Sequence, residues 1–113
     1  SLDDAIKNLS NLVNVTSQVT TLDSIKDRVA KEFEISVASM ESALRKKEIT
    51  TARSMAMLIA NELIPTLSLS DIGRSFNKDH SSVLTAIRRT KAWIEESQEI
   101  AAIHQKLVPS LKK

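Results

Sequence analysis

The sequence predicts an all-α fold of about six helices, and three observations carry that expectation. Among 113 residues there are one glycine and two prolines, the strongest helix breakers, against many Ala, Leu, Ile, Lys and Glu. Apolar residues recur at spacings of three and four rather than alternating, the period of a helix with one buried face. Ser, Thr or Asp stands just ahead of several such runs, where a side-chain oxygen can cap the free N–H groups of a helix start. With 42% hydrophobic residues the chain can bury a core.

The elements follow in order. Leu2 to about Val15 reads as an amphipathic helix through Leu2, Ile6, Leu9 and Val13, and polar, β-branched Asn14–Thr21 breaks it. A second helix starts at Thr21 or Asp23 and places Leu22, Ile25, Val29 and Phe33 on one face. Ile35-Ser36-Val37 reads as extended, Ser39-Met40-Glu41-Ser42 as one turn, and Leu44 to Lys47 as a basic loop. A third helix is expected from about Thr50 to Leu63, with Ala52, Met55, Ala56, Ile59 and Leu63 inward, stopped by Pro65.

Next comes Ser68-Leu69-Ser70-Asp71, a capping box with Asp in place of the usual Glu. Leu69, Ile72 and Phe76 share one face of a short helix. Gly73 is the only glycine in the chain. Glycine inside a helix costs about 1 kcal/mol against alanine, so a packing reason is expected there, close approach of another helix being one. Asn77-Lys78 forms the turn. Asp79 then caps a longer helix by accepting the N–H groups of Ser81 and Ser82, with His80, Ser81 and Ser82 at its exposed start and Arg88-Arg89 further along. A last helix runs from Glu95 or Ser97 to Leu107, ended by Pro109. Trp93 reads as packing.

Short helix, tight turn, longer helix is the helix-turn-helix unit. In such units the second helix offers its first residues to base edges in the major groove. Charge placement agrees. Residues 1–44 hold four basic and seven acidic residues, a net −3; residues 45–91 hold nine and four, a net +5; residues 92–113 hold three of each. The positive charge coincides with the helix-turn-helix and the segment before it, as a DNA-facing surface requires.

Catalysis is disfavoured. The chain has no cysteine, hence no thiol nucleophile, disulfide or zinc thiolate. One His beside one Asp, without a second base, does not make an active site, and His104 has no neighbouring metal-ligand set. The phosphate loop G-x-x-x-x-G-K-[ST] is absent. No apolar run approaches the roughly 18 residues that span a membrane. The chain begins with Ser, and the expectation is a cytoplasmic fragment of a longer protein.

Leu69-Ser70-Asp71-Ile72-Gly73, then Phe76, then Lys78-Asp79-His80-Ser81-Ser82-Val83 resembles the signature of the DNA-binding domain of the DnaA family, the bacterial chromosomal replication initiators. That signature usually reads Leu-Pro-Glu-Ile-Gly, then Phe-Gly-Gly-Arg-Asp-His-Thr-Thr-Val. Ala52-Arg53-Ser54-Met55-Ala56-Met57 with Asn61-Glu62-Leu63 is similar to the family's Arg-Gln-Met-Ala-Met helix and its Glu-Leu end. The resemblance runs from about Leu22 to the C-terminus. It implies double-stranded DNA as partner, namely replication-origin boxes such as 5′-TTATNCACA-3′, and replication-regulator proteins as further partners. Residues 1–20 would be the tail of the preceding ATPase-module lid with its connector, and residues 21–113 the DNA-binding domain. No cofactor is implied for this segment; ATP would belong to the full-length protein.

The resemblance also implies site residues. Asp79, His80, Ser81 and Ser82 would read the major groove. Arg45 matches the family arginine that enters the minor groove, where a narrow groove concentrates negative potential. Lys46, Arg53, Ser54, Lys78 and Arg88 would hold phosphates, and the N–H groups at Leu69 and Ser70 would add a helix-end anion site. This sequence departs from the pattern in several places. Ser81 and Ser82 replace the commoner Thr pair, Asn77-Lys78 stands where Gly-Gly-Arg is usual, and Asn61 where many members are basic. Outside the family, a helix-turn-helix transcription regulator and a helical protein-interaction module are the other readings the residues allow.

Overall fold

A computed structural model describes residues 20–112. The helix expected at Leu2–Val15 lies outside them. Within them the chain is all-helical: α1 Leu22–Phe33, α2 Val37–Glu41, α3 Lys47–Leu63, α4 Leu69–Ser75, α5 His80–Glu96 and α6 Gln98–Leu111.

Helix α1 starts at a reciprocal cap. Thr21 Oγ1 accepts the Ser24 N–H at 3.1 Å, and Ser24 Oγ accepts the Thr21 N–H at 3.0 Å. Ile25 and Val29 are fully buried, with Leu22 and Phe33 packed at the margin, as the spacing predicts. The helix ends on Glu34 at φ 59°, where Ile35 N–H reaches Ala30 O and Glu34 N–H reaches Lys31 O. This paired termination usually uses glycine.

The segment expected to be extended is shorter than its sequence suggests. Ser36 is extended, and its hydroxyl accepts the Ser39 N–H at 3.1 Å and so starts α2 at Val37. The following basic loop is also shorter. Thr50 N–H bonds to Lys46 O at 2.9 Å and its hydroxyl to Lys47 O at 3.0 Å, which draws Lys47 into α3.

Helix α3 is the centre of the molecule. Ala52 through Ala60 are all buried. Such a helix, covered on every side, must have neighbours on each face; here α1, α2, α4 and α5 surround it. Pro65 follows its end, as expected.

The capping box of α4 forms as read. Ser68 Oγ accepts the Asp71 N–H at 3.0 Å, and Asp71 Oδ2 accepts the Ser68 N–H at 3.1 Å. Gly73 does have a packing reason, and its neighbour is the following turn. A Cβ there would lie 2.4 Å from the Lys78 carbonyl oxygen, so the turn's own backbone, not another helix, excludes a side chain. Lys78 N–H bonds to Gly73 O at 2.8 Å and Asn77 N–H to Arg74 O at 3.4 Å, with Asn77 at φ 60°. Asparagine tolerates this left-handed conformation better than most residues.

Ser97 ends α5 and caps α6. Pro109 does not end α6, which continues to Leu111. In the last turn a proline removes a single N–H, while Val108 and Leu111 gain burial against the core.

A polar cluster sets how the two motif helices sit on the rest. Buried Lys26 donates to Glu41 at 2.6 Å and to Ser75 O at 2.7 Å, with its ammonium 4.6 Å from the centre of the Phe76 ring. Asn77 Nδ2 donates to Glu41 O at 3.0 Å. These bonds join α1, the end of α2 and the turn after α4.

Candidate nucleic-acid interface

The α2–α3 loop, the outer side of α3 and the first half of α5 enclose an open groove of about 360 Å³. Four cationic residues line it, Arg45, Arg53, Lys78 and Arg89, together with the hydroxyls of Thr50, Ser54, Ser81, Ser82 and Thr85; no carboxylate does. Cations close together with no lining acid make a surface of positive potential. Hydroxyls beside them can donate to phosphate oxygens or to base edges.

The start of α5 is built by Asp79. Its Oδ1 accepts the Ser82 N–H at 2.9 Å and the Ser81 hydroxyl at 3.2 Å. The expected amide bond from Ser81 is thus replaced by a hydroxyl bond, because the first turn aims the Ser82 amide at the cap. The Ser82 N–H, followed by the two serine side chains, holds the Asp79 carboxyl below the usual carboxylate range. It is a fixed negative charge beside exposed His80. Val83, Ala86, Ile87 and Thr90 turn inward, leaving His80, Ser81, Ser82 and Thr85 exposed. The Thr90 hydroxyl bonds back to Ala86 O at 2.8 Å, so that buried polar group is satisfied within the helix.

The loop that carries Arg45 is held from beneath by Arg53. Arg53 is only 7% exposed. Its Nε donates to Met40 O at 2.7 Å, and one Nη donates to Ser42 O at 2.9 Å and Leu44 O at 3.1 Å. Ser42 Oγ accepts the Leu44 N–H at 3.2 Å. Arg53, expected at a phosphate, directs its fork to one carbonyl of α2 and two of the loop that follows. Burial, and secondarily the charge of Arg45, lower its pKa from the usual arginine value. Ser54, on the groove floor, is also buried, at 3% exposure.

The remaining expected residues are dispersed. Arg45 and Lys46 are exposed on the loop, and Arg45 lines the groove with half-buried Lys78. Arg88 is exposed but does not line the groove; its neighbour Arg89 does. The spacing Ser81, Thr85, Arg89 is the signal that separates the two, since residues four apart share a helix face. The amides of Leu69 and Ser70 lie at the start of α4, outside the groove. Beside them stands the Asp71 carboxylate, 2.7 Å from Arg74. That bond, with the Ser68 contacts, lowers the Asp71 pKa to about 2. That carboxylate accepts the N–H of Ser68, the residue before the Leu69 and Ser70 amides.

A seven-residue helix, a tight turn and a capped seventeen-residue helix with an exposed polar start, packed on a central helix, define a helix-turn-helix domain. The chain belongs to the bacterial DnaA protein helix-turn-helix family, whose model matches residues 22–90. It is 31% identical over 101 residues to the chromosomal replication initiator protein DnaA of Rickettsia canadensis, and equally to that of Rickettsia massiliae. Each match covers 88% of this chain and 22% of the relative, so the chain spans about a fifth of the length of these curated relatives. A crystal structure of a DNA replication initiation factor is similar with a TM-score of 0.69 and 28% identity, over 80% of this chain and 28% of that one. Among the described residues no helix is long and apolar enough to cross a membrane.

Proposed function

We propose that residues 21–113 are a DNA-binding domain that recognises replication-origin boxes for a bacterial initiator. The observation that carries this reading is the groove lined by Arg45, Lys78 and Arg89 together with Ser81 and Ser82, with no carboxylate among its lining residues. In this reading α5 enters the major groove with Asp79, His80, Ser81 and Ser82 at base edges. Arg45 reaches the adjacent minor groove, and Lys46, Lys78 and Arg88 hold phosphates. Arg53 supports the Arg45 loop. Catalysis is not assigned to this domain. ATP binding and any ATPase chemistry belong to the remainder of the full-length protein, with residues 1–20 as the tail of its lid. The setting is the nucleoid in the cytoplasm, and replication-regulator proteins are further partners.

The test is selection of binding sites from random duplexes, followed by a salt titration on the selected site. With about four to six phosphates neutralised, log K should fall against log[salt] with a slope of roughly −4 to −5. Footprints on promoter fragments but not on origin fragments would favour a transcription regulator. No binding to any duplex at low salt would overturn the DNA reading in favour of a protein-interaction module.

A further inference from the structure

We infer that Trp93 is a positioning residue for DNA recognition: it holds the Arg89 guanidinium at the groove wall, where Arg89 contacts a backbone phosphate. This rests on the DNA-binding reading and adds a residue pair to it. The Arg89 guanidinium carbon lies 5.5 Å from the centre of the Trp93 ring, within cation–π range. Arg89 and Trp93 are four apart on α5, one turn of the same face. Trp93 is half-buried, which restrains the ring that lies against the cation. Arg89 itself is exposed and lines the groove with Ser81, Ser82 and Thr85. Among the described residues no carboxylate is paired with it. An arginine resting on an aromatic face keeps its N–H edge available for a bidentate phosphate contact, and less freedom is lost when the contact forms.

Arg89 stands two turns from Ser81, on the flank of the site and not at its tip. A residue there meets the phosphate backbone that borders the major groove, not the base edges read by the first turn. Its contribution should therefore be independent of sequence. Lysine would keep the charge but lose the stacked fork.

The chain has a single tryptophan, which turns the pair into its own reporter. Wild-type domain, Arg89→Ala, Arg89→Lys, Trp93→Leu and Arg88→Ala should be titrated with the selected duplex and with an unrelated one, by anisotropy and by tryptophan emission. Losing one phosphate contact should lower the magnitude of the salt slope by about one and weaken both duplexes about fivefold at 0.15 M salt. That is the expectation for Arg89→Ala. Trp93→Leu keeps apolar bulk and the Arg89 charge, so the slope should hold while affinity falls by a few fold on both duplexes; Trp93→Phe should recover part of it. The emission of Trp93 should change on binding in the wild type, and much less in Arg89→Lys at saturating DNA. Wild-type protein that binds no duplex overturns the DNA reading, and this inference with it. Wild-type binding with an unaltered slope and affinity in Arg89→Ala overturns this inference alone. So does equal affinity of Trp93→Leu and wild type.

Discussion

Replacing Arg53 by Met keeps a long, flexible stem and removes the guanidinium that holds the Arg45 loop. Three carbonyls then lose their donor: Met40 O at 2.7 Å, Ser42 O at 2.9 Å and Leu44 O at 3.1 Å. A hydrogen bond from a charged donor contributes about 1.5–3 kcal/mol. The bond to Met40 O is buried and counts near that range, whereas the two loop carbonyls are partly exposed and can be rehydrated. Desolvation of the guanidinium and its repulsion from Arg45 oppose the gain, which is the physical content of its lowered pKa. The net cost of Arg53→Met is therefore about 2–3 kcal/mol, well below three charged bonds added together. For a domain of this size that corresponds to a fall in Tm of about 10–20 °C, measurable by circular dichroism. Arg53→Lys should recover little, because an ammonium cannot span the three acceptors with a planar fork. On DNA, the freed loop should mimic loss of Arg45, with discrimination falling more than non-specific binding. Unchanged Tm in Arg53→Met, with uniform weakening of all duplexes and a salt slope smaller by about one, would refute the argument and make Arg53 a phosphate ligand.

Arg45→Ala should cost about 1–3 kcal/mol on the selected site and relax preference at A·T positions, while Lys46→Ala weakens all duplexes alike; identical selection profiles for the two would reject their separate roles. His80→Ala should change stability by less than about 0.5 kcal/mol, since the residue is exposed. It should reduce specific binding by about 1–3 kcal/mol with non-specific binding intact, and a large fall in Tm would mean that His80 holds the fold. Gly73→Ala places a methyl 2.4 Å from the Lys78 carbonyl oxygen. It should cost about 2–3 kcal/mol by overpacking, whereas a gain near 1 kcal/mol, the propensity effect alone, would show that the turn yields. Asp71 titrates at about 2 in the folded domain, below its ordinary value, so its contribution to stability is complete above that ordinary value. The contribution is lost as pH falls through about 2. Thermal melts of wild type and Asp71→Asn should converge across this acid window, and curves that stay parallel would deny Asp71 its capping role.

Caps were legible in the sequence because their chemistry is local. Thr21, Ser36, Ser68, Asp79 and Ser97 each accept an N–H three residues on, and four of these starts could be read from residue type and the apolar run that follows. Ser36 was missed because α2 is five residues long, too short to show a period. Pro109 misled for the opposite reason. Its local penalty is real, but Leu111 packs on a core that no local window contains. Arg88 and Arg89 are adjacent in sequence and differ by about 100° around the helix, so only the phase of α5 tells them apart. That phase was available in Val83, Ala86, Ile87 and Thr90, all of which are buried.

Arg53 and Lys26 were beyond reach for a deeper reason. Their partners are largely backbone carbonyls, and every residue in the chain has one, so composition carries no trace of which will be used. Lys26 meets Glu41 and Ser75 O, fifteen and forty-nine residues away, and Asn77 meets Glu41 O from the other side. Glu41 is the last residue of α2, from which the Arg45 loop departs, and Asn77 is in the turn from which α5 departs. The elements that carry Arg45 and Ser81 are thus tied together by a cluster that includes neither residue. Motif spacing names the candidate site residues; the buried polar bonds at Lys26 and Arg53 join the elements that carry them.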